Sequence, residues 1–168
     1  PGTWISCSSA VNEKLPPALK LIYVVQSDAL DSGWKARFEK SIKSLQTQRD
    51  HSPVQLCVAD YSTVSILESG MKLDKNIQYF HHALPGIFNR ALCLNHAYKK
   101  FITVKDKFFL TSDIDLLFPP DFIERICWRY ISSDRELCMT SATYYLTAAT
   151  SEATSGYISS PLNQEQFR

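Results

Sequence analysis

Five short apolar runs, each closed by polar residues and set apart by helical or breaker segments, restrict this chain more than any other feature. "LKLIYVVQSD", Leu19 to Asp28, is apolar on both alternating sets of positions rather than on one. That pattern belongs to a strand covered on both faces, as in a parallel sheet, and not to a half-exposed antiparallel one. "VQLCVADYS" repeats it at 54–62 and ends on Asp60, and "IQYFHH" at 77–82, "KFFLTSDID" at 107–115 and "ELCMTSATYYL" at 136–146 predict three more strands. Between the first two, Trp34, Phe38, Ile42 and Leu45 recur at helical spacing, with Asp31 or Ser32 placed to cap. Phe88, Ala91, Leu92, Leu94, Tyr98 and Phe101 suit a second helix packed on the sheet. Pro119-Pro120 opens a third, "DFIERICWRYI". Residues 62–76 are mixed and read as a short helix or loop.

This order predicts an α/β domain with a mostly parallel central sheet flanked by helices. At 168 residues the chain fits a single domain spanning 1–168, with a polar lead-in over 1–18 and a Ser/Thr/Ala/Gly-rich loop or tail over 147–168. A chain beginning with Pro1 and carrying this unpatterned tail reads as a piece of something longer, incomplete at its C-terminus.

Charge and apolar run length each exclude one class of partner. Lys+Arg number 18 against 17 Asp+Glu, and no basic run exists to neutralise a polyanion, so no nucleic acid is expected. No apolar stretch approaches the roughly 20 residues that cross a bilayer, so no membrane span is expected. Cys7, Cys57, Cys93, Cys127 and Cys138 form no C-x-x-C pair. They read as buried thiols, with room for one disulfide, and not as structural zinc ligands. Neighbours on a strand, His81 and His82 face opposite ways; one is expected buried and the other exposed, with no shared metal. His96 reads as a packing or surface residue.

Parallel sheets bind ligands outside the carboxyl ends of their strands. Three expected strand ends present polar groups: Gln26-Ser27-Asp28, Asp60, and Asp113-Ile114-Asp115. If the fourth strand continues through Asp115, Asp113 and Asp115 point to one side, because strand side chains alternate with period two. Two carboxylates so close repel unless a cation lies near them. Hard oxygen ligands without His or Cys suit Mg²⁺ or Mn²⁺, ions that bridge to phosphate oxygens. A bare D-x-D also serves simply to solvate a turn, so the surrounding residues decide.

Those residues are "FNRALCLNHAYK" followed by "FFLTSDIDLLFPPDF". Together they resemble the β-1,4-galactosyltransferase and chondroitin-polymerising (N-acetylgalactosaminyltransferase) group of glycosyltransferases. In that group an F-N-R-A helix start precedes an S-D-x-D-L segment and a proline-containing step into the next helix. The resemblance covers about 35 residues and implies the GT-A nucleotide-diphospho-sugar transferase fold. It implies that Asp115 binds Mn²⁺ (or Mg²⁺) directly, that Asp113 serves the ribose or the metal, that Arg90 contacts the donor nucleotide and that Phe88 lies beside the uracil. Asp60 resembles the base-contacting acid of the wider fold, and Gln26 and Ser27 stand where the group also touches the nucleotide.

The activity this implies is metal-dependent transfer of galactose or an N-acetylgalactosamine-like sugar from a UDP-sugar donor to a carbohydrate or glycoconjugate hydroxyl, with inversion. The group's downstream W-G-x-E-D-x-D segment is absent from this sequence, as is a later His completing the metal site. The catalytic base is therefore not assigned. The alternative is a non-catalytic or truncated GT-A-fold domain that binds a nucleotide sugar or a partner. Two other D-x-D chemistries fit less well: a nucleotidyltransferase needs a Gly-Ser turn shortly upstream, and a D-x-D-x-Thr phosphatase needs Thr where Leu117 stands.

Overall fold

The computed structural model describes residues 19–48, 54–84, 86–104, 106 and 109–131, the last five of these through their backbone alone. The lead-in over 1–18, the expected fifth strand at 136–146, the tail at 147–168, Cys7, Cys138 and the side chain of Cys127 lie outside what is described. The chain divides into two compact units, one of Pro16–Lys43 and Ser52–Leu117, the other of Pro1–Leu15, Ser44–His51 and Phe118–Arg168.

The first unit carries the sheet. Strands β1 (Leu19–Val25), β2 (Val54–Asp60), β3 (Gln78–His81) and β4 (Phe109–Ser112) lie in the order β3-β2-β1-β4, and every pairing is parallel. Val25 pairs with Asp60, and Tyr23 with Ser112, so the carboxyl ends of β1, β2 and β4 arrive close to one level. The central strands are the most apolar and the most buried, while β3 and β4 form partly exposed edges. Among the described residues the fold is α/β with an all-parallel four-stranded sheet, compatible with a Rossmann-like arrangement.

Alternation along β1 gives each face its own helix. Tyr23 meets α1 (Trp34–Gln46): its ring stands edge-on to Phe38 at 5.0 Å, and its hydroxyl shares a 2.9 Å hydrogen bond with Ser41. Ile22 faces the other way, into a cluster with Cys57, Ala59 and Tyr61 closed by Cys93, Ala97 and Phe101 of α2 (Arg90–Phe101). The buried stripe of α2 is thus Cys93-Ala97-Phe101. Leu92 and Tyr98, expected to face the sheet, are 54% and 44% exposed. Small side chains explain the difference, since Cys93 and Ala97 let the helix backbone approach the sheet, where hydropathy alone favours the larger leucines. Burial pushes the Cys57 thiol up to about 11 and raises that of Cys93, and both cysteines are free.

α2 begins two residues later than Phe88, because Asn89 caps it by accepting the Leu92 N–H at 3.0 Å. Its far end meets Lys20 of β1, whose ammonium donates to the Phe101 carbonyl at 2.7 Å and to Asp106 at 2.9 Å. A cation at the negative end of the helix stabilises the last turn. In the second unit, the last turn of α1 and α3 (Phe122–Ile131) are joined through Gln48, whose amide donates to the Ser44 and Pro119 carbonyls and accepts from the Ile123 N–H. The paired prolines stand in the turn ahead of α3 and the helix itself starts at Phe122. No described helix is long and apolar enough to cross a membrane.

Candidate functional site

The winding of the sheet reverses at β1. From β1 the chain moves outward to β2 and β3, then crosses back through α2 to β4 on the other side of β1. At such a switch point the connections leave in opposite directions and open a crevice beyond the carboxyl ends of the two strands. Here Gln26 and Ser27 follow β1, and Asp113-Ile114-Asp115 follow β4.

The fourth strand stops at Ser112, so Asp113 to Asp115 form a turn and not the continued strand expected. Ile114 between them is 93% buried, and both aspartates are exposed. An apolar anchor replaces strand geometry in presenting them. Arg90, the first residue of α2, binds Asp113 through Nε at 3.1 Å and Nη2 at 2.9 Å, both on Oδ1. Oδ2 of Asp113 and the whole Asp115 carboxylate accept no hydrogen bond among the described residues.

Arg37 completes the charge pattern. It sits in the first turn of α1 and grips Asp31 with a two-pronged contact, Nη1 to Oδ1 at 3.0 Å and Nη2 to Oδ2 at 2.9 Å. The Asp31 hydrogen bonds, with a smaller contribution from the Asp115 charge, raise the Arg37 pKa. That contact, and the Gly33 N–H donated to Asp31, hold the Asp31 carboxyl below the usual carboxylate range. Sequence reasoning missed Arg37; only the return of β4 beside β1 brings Asp115 near it.

The segment between β3 and α2 crosses this edge as a strap. His82 N–H donates to the Asp60 carbonyl at 2.8 Å and Leu84 N–H to that of Tyr61 at 3.2 Å, at the end of β2. The Gln26 amide, at the end of β1, donates to the carbonyls of Leu84 at 3.0 Å and Gly86 at 3.3 Å. The strap then reaches Phe88, half-buried against the α2 cluster, and Arg90 on Asp113. Gly86 turns it at φ +114°, a left-handed conformation costly to a side chain.

Asp60, expected beside the base, is engaged within the fold. It is fully buried, with Oδ1 accepting the Ser62 N–H at 3.0 Å and Oδ2 accepting the Ile66 N–H at 2.8 Å and the Tyr79 hydroxyl at 2.7 Å. A carboxylate with three internal donors folds the 61–66 loop. Ser27 is likewise bound into that loop, its N–H donating to the Ser62 hydroxyl at 2.8 Å. Both His81 and His82 are exposed, against the expectation that one is buried. His81 pairs with the Ser62 carbonyl at 2.8 Å, and the His82 and His96 rings meet edge-on at 5.2 Å.

As donors for a cation, the Asp113 and Asp115 oxygens fit a hard ion of the Mg²⁺ or Mn²⁺ kind, which takes one or two carboxylates and completes its shell with phosphate and water. Among the described residues no group of three or more His, Cys, Asp or Glu stands together as a self-sufficient metal site. No protein family, curated protein or solved structure matches the chain.

Proposed function

We propose that this domain binds a UDP-sugar at the crevice between β1 and β4, with Mn²⁺ or Mg²⁺, as a GT-A-type glycosyltransferase moving a galactose or N-acetylgalactosamine-like sugar to a carbohydrate hydroxyl with inversion. The observation that carries this reading is the presentation of Asp113 and Asp115 on either side of buried Ile114, past the end of β4 at the point where the winding reverses. A divalent ion supplies Lewis-acid neutralisation of a diphosphate leaving group. The protein's own contribution is orientation and fixed charge. Asp115 and Asp113 would hold the ion, and Arg90 fixes Asp113 by occupying Oδ1 from two nitrogens. Arg37 and Arg90 each retain N–H groups beyond their aspartate contacts, and a guanidinium matches phosphate geometry. Phe88 offers an aromatic face to a base.

One observation favours the second reading, donor binding without transfer. Among the described acids at this edge, Asp31 is held by Arg37, Asp113 by Arg90, Asp60 by its loop and Asp28 by the Thr63 N–H, and Asp115 serves the ion. None is left to take the acceptor proton. Calorimetric titration of UDP with and without Mn²⁺, repeated on Asp115→Ala, tests the donor site: metal-dependent binding lost in the variant is expected. Binding that ignores both metal and Asp115 would refute it. Sugar transfer to an acceptor series then separates enzyme from binding module.

A further inference from the structure

Gln26 is 94% buried, yet only half of its carboxamide is satisfied. Both of its partners, the carbonyls of Leu84 and Gly86, are acceptors and nothing else. The NH₂ group must therefore face the strap, which fixes the orientation of the amide without the usual ambiguity between its oxygen and nitrogen. Oε1 is left with no partner among the described residues. No sealed side-chain nitrogen or oxygen among those residues lacks a partner, so Oε1 keeps contact with solvent. A buried side chain thus presents one oriented, unfilled acceptor at the end of β1.

We propose that Gln26 selects the base of the bound nucleotide by accepting its imide N–H through Oε1. The inference rests on the nucleotide-sugar reading above and adds which group reads the base, and by what chemistry. An acceptor in a fixed place favours a ring with a hydrogen on N3, as in uracil, and meets a lone pair on N3 of cytosine. A site built to receive an N–H rejects the analogue lacking it more strongly than a greasy pocket rejects a size change, because the site's own polar atom is left unpaired. Asp60, the acid expected to contact the base, has its oxygens engaged with the 61–66 loop and Tyr79. Gln26 stands one residue beyond Val25, the neighbour of Asp60 in the sheet, and takes over that position.

The test is calorimetric titration of UDP, N3-methyl-UDP and CDP with Mn²⁺ into the wild-type chain, then into Gln26→Met. Wild type is expected to bind UDP roughly 10- to 100-fold more tightly than either analogue, the range for one unmade hydrogen bond at a desolvated site. In Gln26→Met that gap is expected to close to within about threefold. UDP and N3-methyl-UDP binding equally well to wild type would overturn the assignment while leaving the donor site standing, and this arm requires no variant to fold. A preference that persists in folded Gln26→Met would also overturn it, placing base selection elsewhere. Failure of all three nucleotides to bind would remove the donor site itself and this inference with it.

Discussion

Replacing Asp60 by asparagine separates a carboxylate that builds the fold from one that reads a ligand. In the native chain Oδ2 accepts two donors and Oδ1 one, all from buried surroundings. Behind Oδ2 runs a relay in which the Leu67 N–H donates to the Ser65 hydroxyl, Ser65 to the Tyr79 hydroxyl, and Tyr79 to Asp60. An asparagine keeps one oxygen for Ile66 and Tyr79 but turns an NH₂ toward the Ser62 N–H, so one bond is lost and two donors oppose each other. Hydrogen bonds to a charged partner contribute about 1.5–3 kcal/mol each, and a stranded buried donor costs about 1–3 kcal/mol. Asp60→Asn is therefore expected to lose about 2–4 kcal/mol. At about 2–4 °C per kcal/mol for a chain of this size, the thermal midpoint falls by roughly 5–15 °C. Circular dichroism melts give the midpoint, and UDP titration well below it gives the affinity, expected within about threefold of wild type. A variant that melts with the wild type but no longer binds UDP would refute the argument and return Asp60 to the ligand.

The Lys20–Asp106 pair adds a pH-dependent contribution. The hydrogen bond from Lys20, aided by the Thr103 backbone and hydroxyl, lowers the Asp106 pKa from 3.8 to about 2. A carboxylate whose folded pKa lies below its unfolded one stabilises the fold above about pH 4 and loses that contribution as pH falls toward 2. Lys20→Met is expected to flatten the fall in urea midpoint between pH 4 and 2; an unchanged slope would show that Asp106 owes its acidity to other partners. Phe38→Ala removes a fully buried ring that packs against Tyr23 and Trp34. A loss of about 3–5 kcal/mol in chemical denaturation is expected, and a loss under 1 kcal/mol would mean that α1 does not depend on this contact.

The strands and helices were legible because each depends on a local pattern. β1 and β2 are apolar runs that only a doubly covered strand accommodates, and α1 buries Trp34, Phe38, Ile42 and Leu45 at the spacing the sequence shows. Boundaries and faces were less legible. Nothing local distinguishes Asp113-Ile114-Asp115 as a turn from the same residues as strand, since both arrangements bury Ile114 and expose the acids. The face of α2 was misjudged because close approach to a sheet rewards the small Cys93 and Ala97, a property of the partner surface and not of the helix.

Strand runs apolar on both faces, helical spacing and the placing of polar residues after apolar runs determined, from the sequence alone, an α/β domain with acids at strand ends. The physical reason is that burial of apolar strands is dictated by side chains within a few residues of each other. Strand order is different. Only the tertiary structure decided that β4 returns beside β1, placing the switch point there, and that the strap between β3 and α2 is tied to the ends of β1 and β2. Tertiary contacts also set Arg37 near Asp115 and turned the Gln26 amide so that one acceptor remains open. The Ser27 and Gln26 hydrogen bonds join residues 35 to 60 positions apart, and no local pattern encodes which distant partner a polar group will meet.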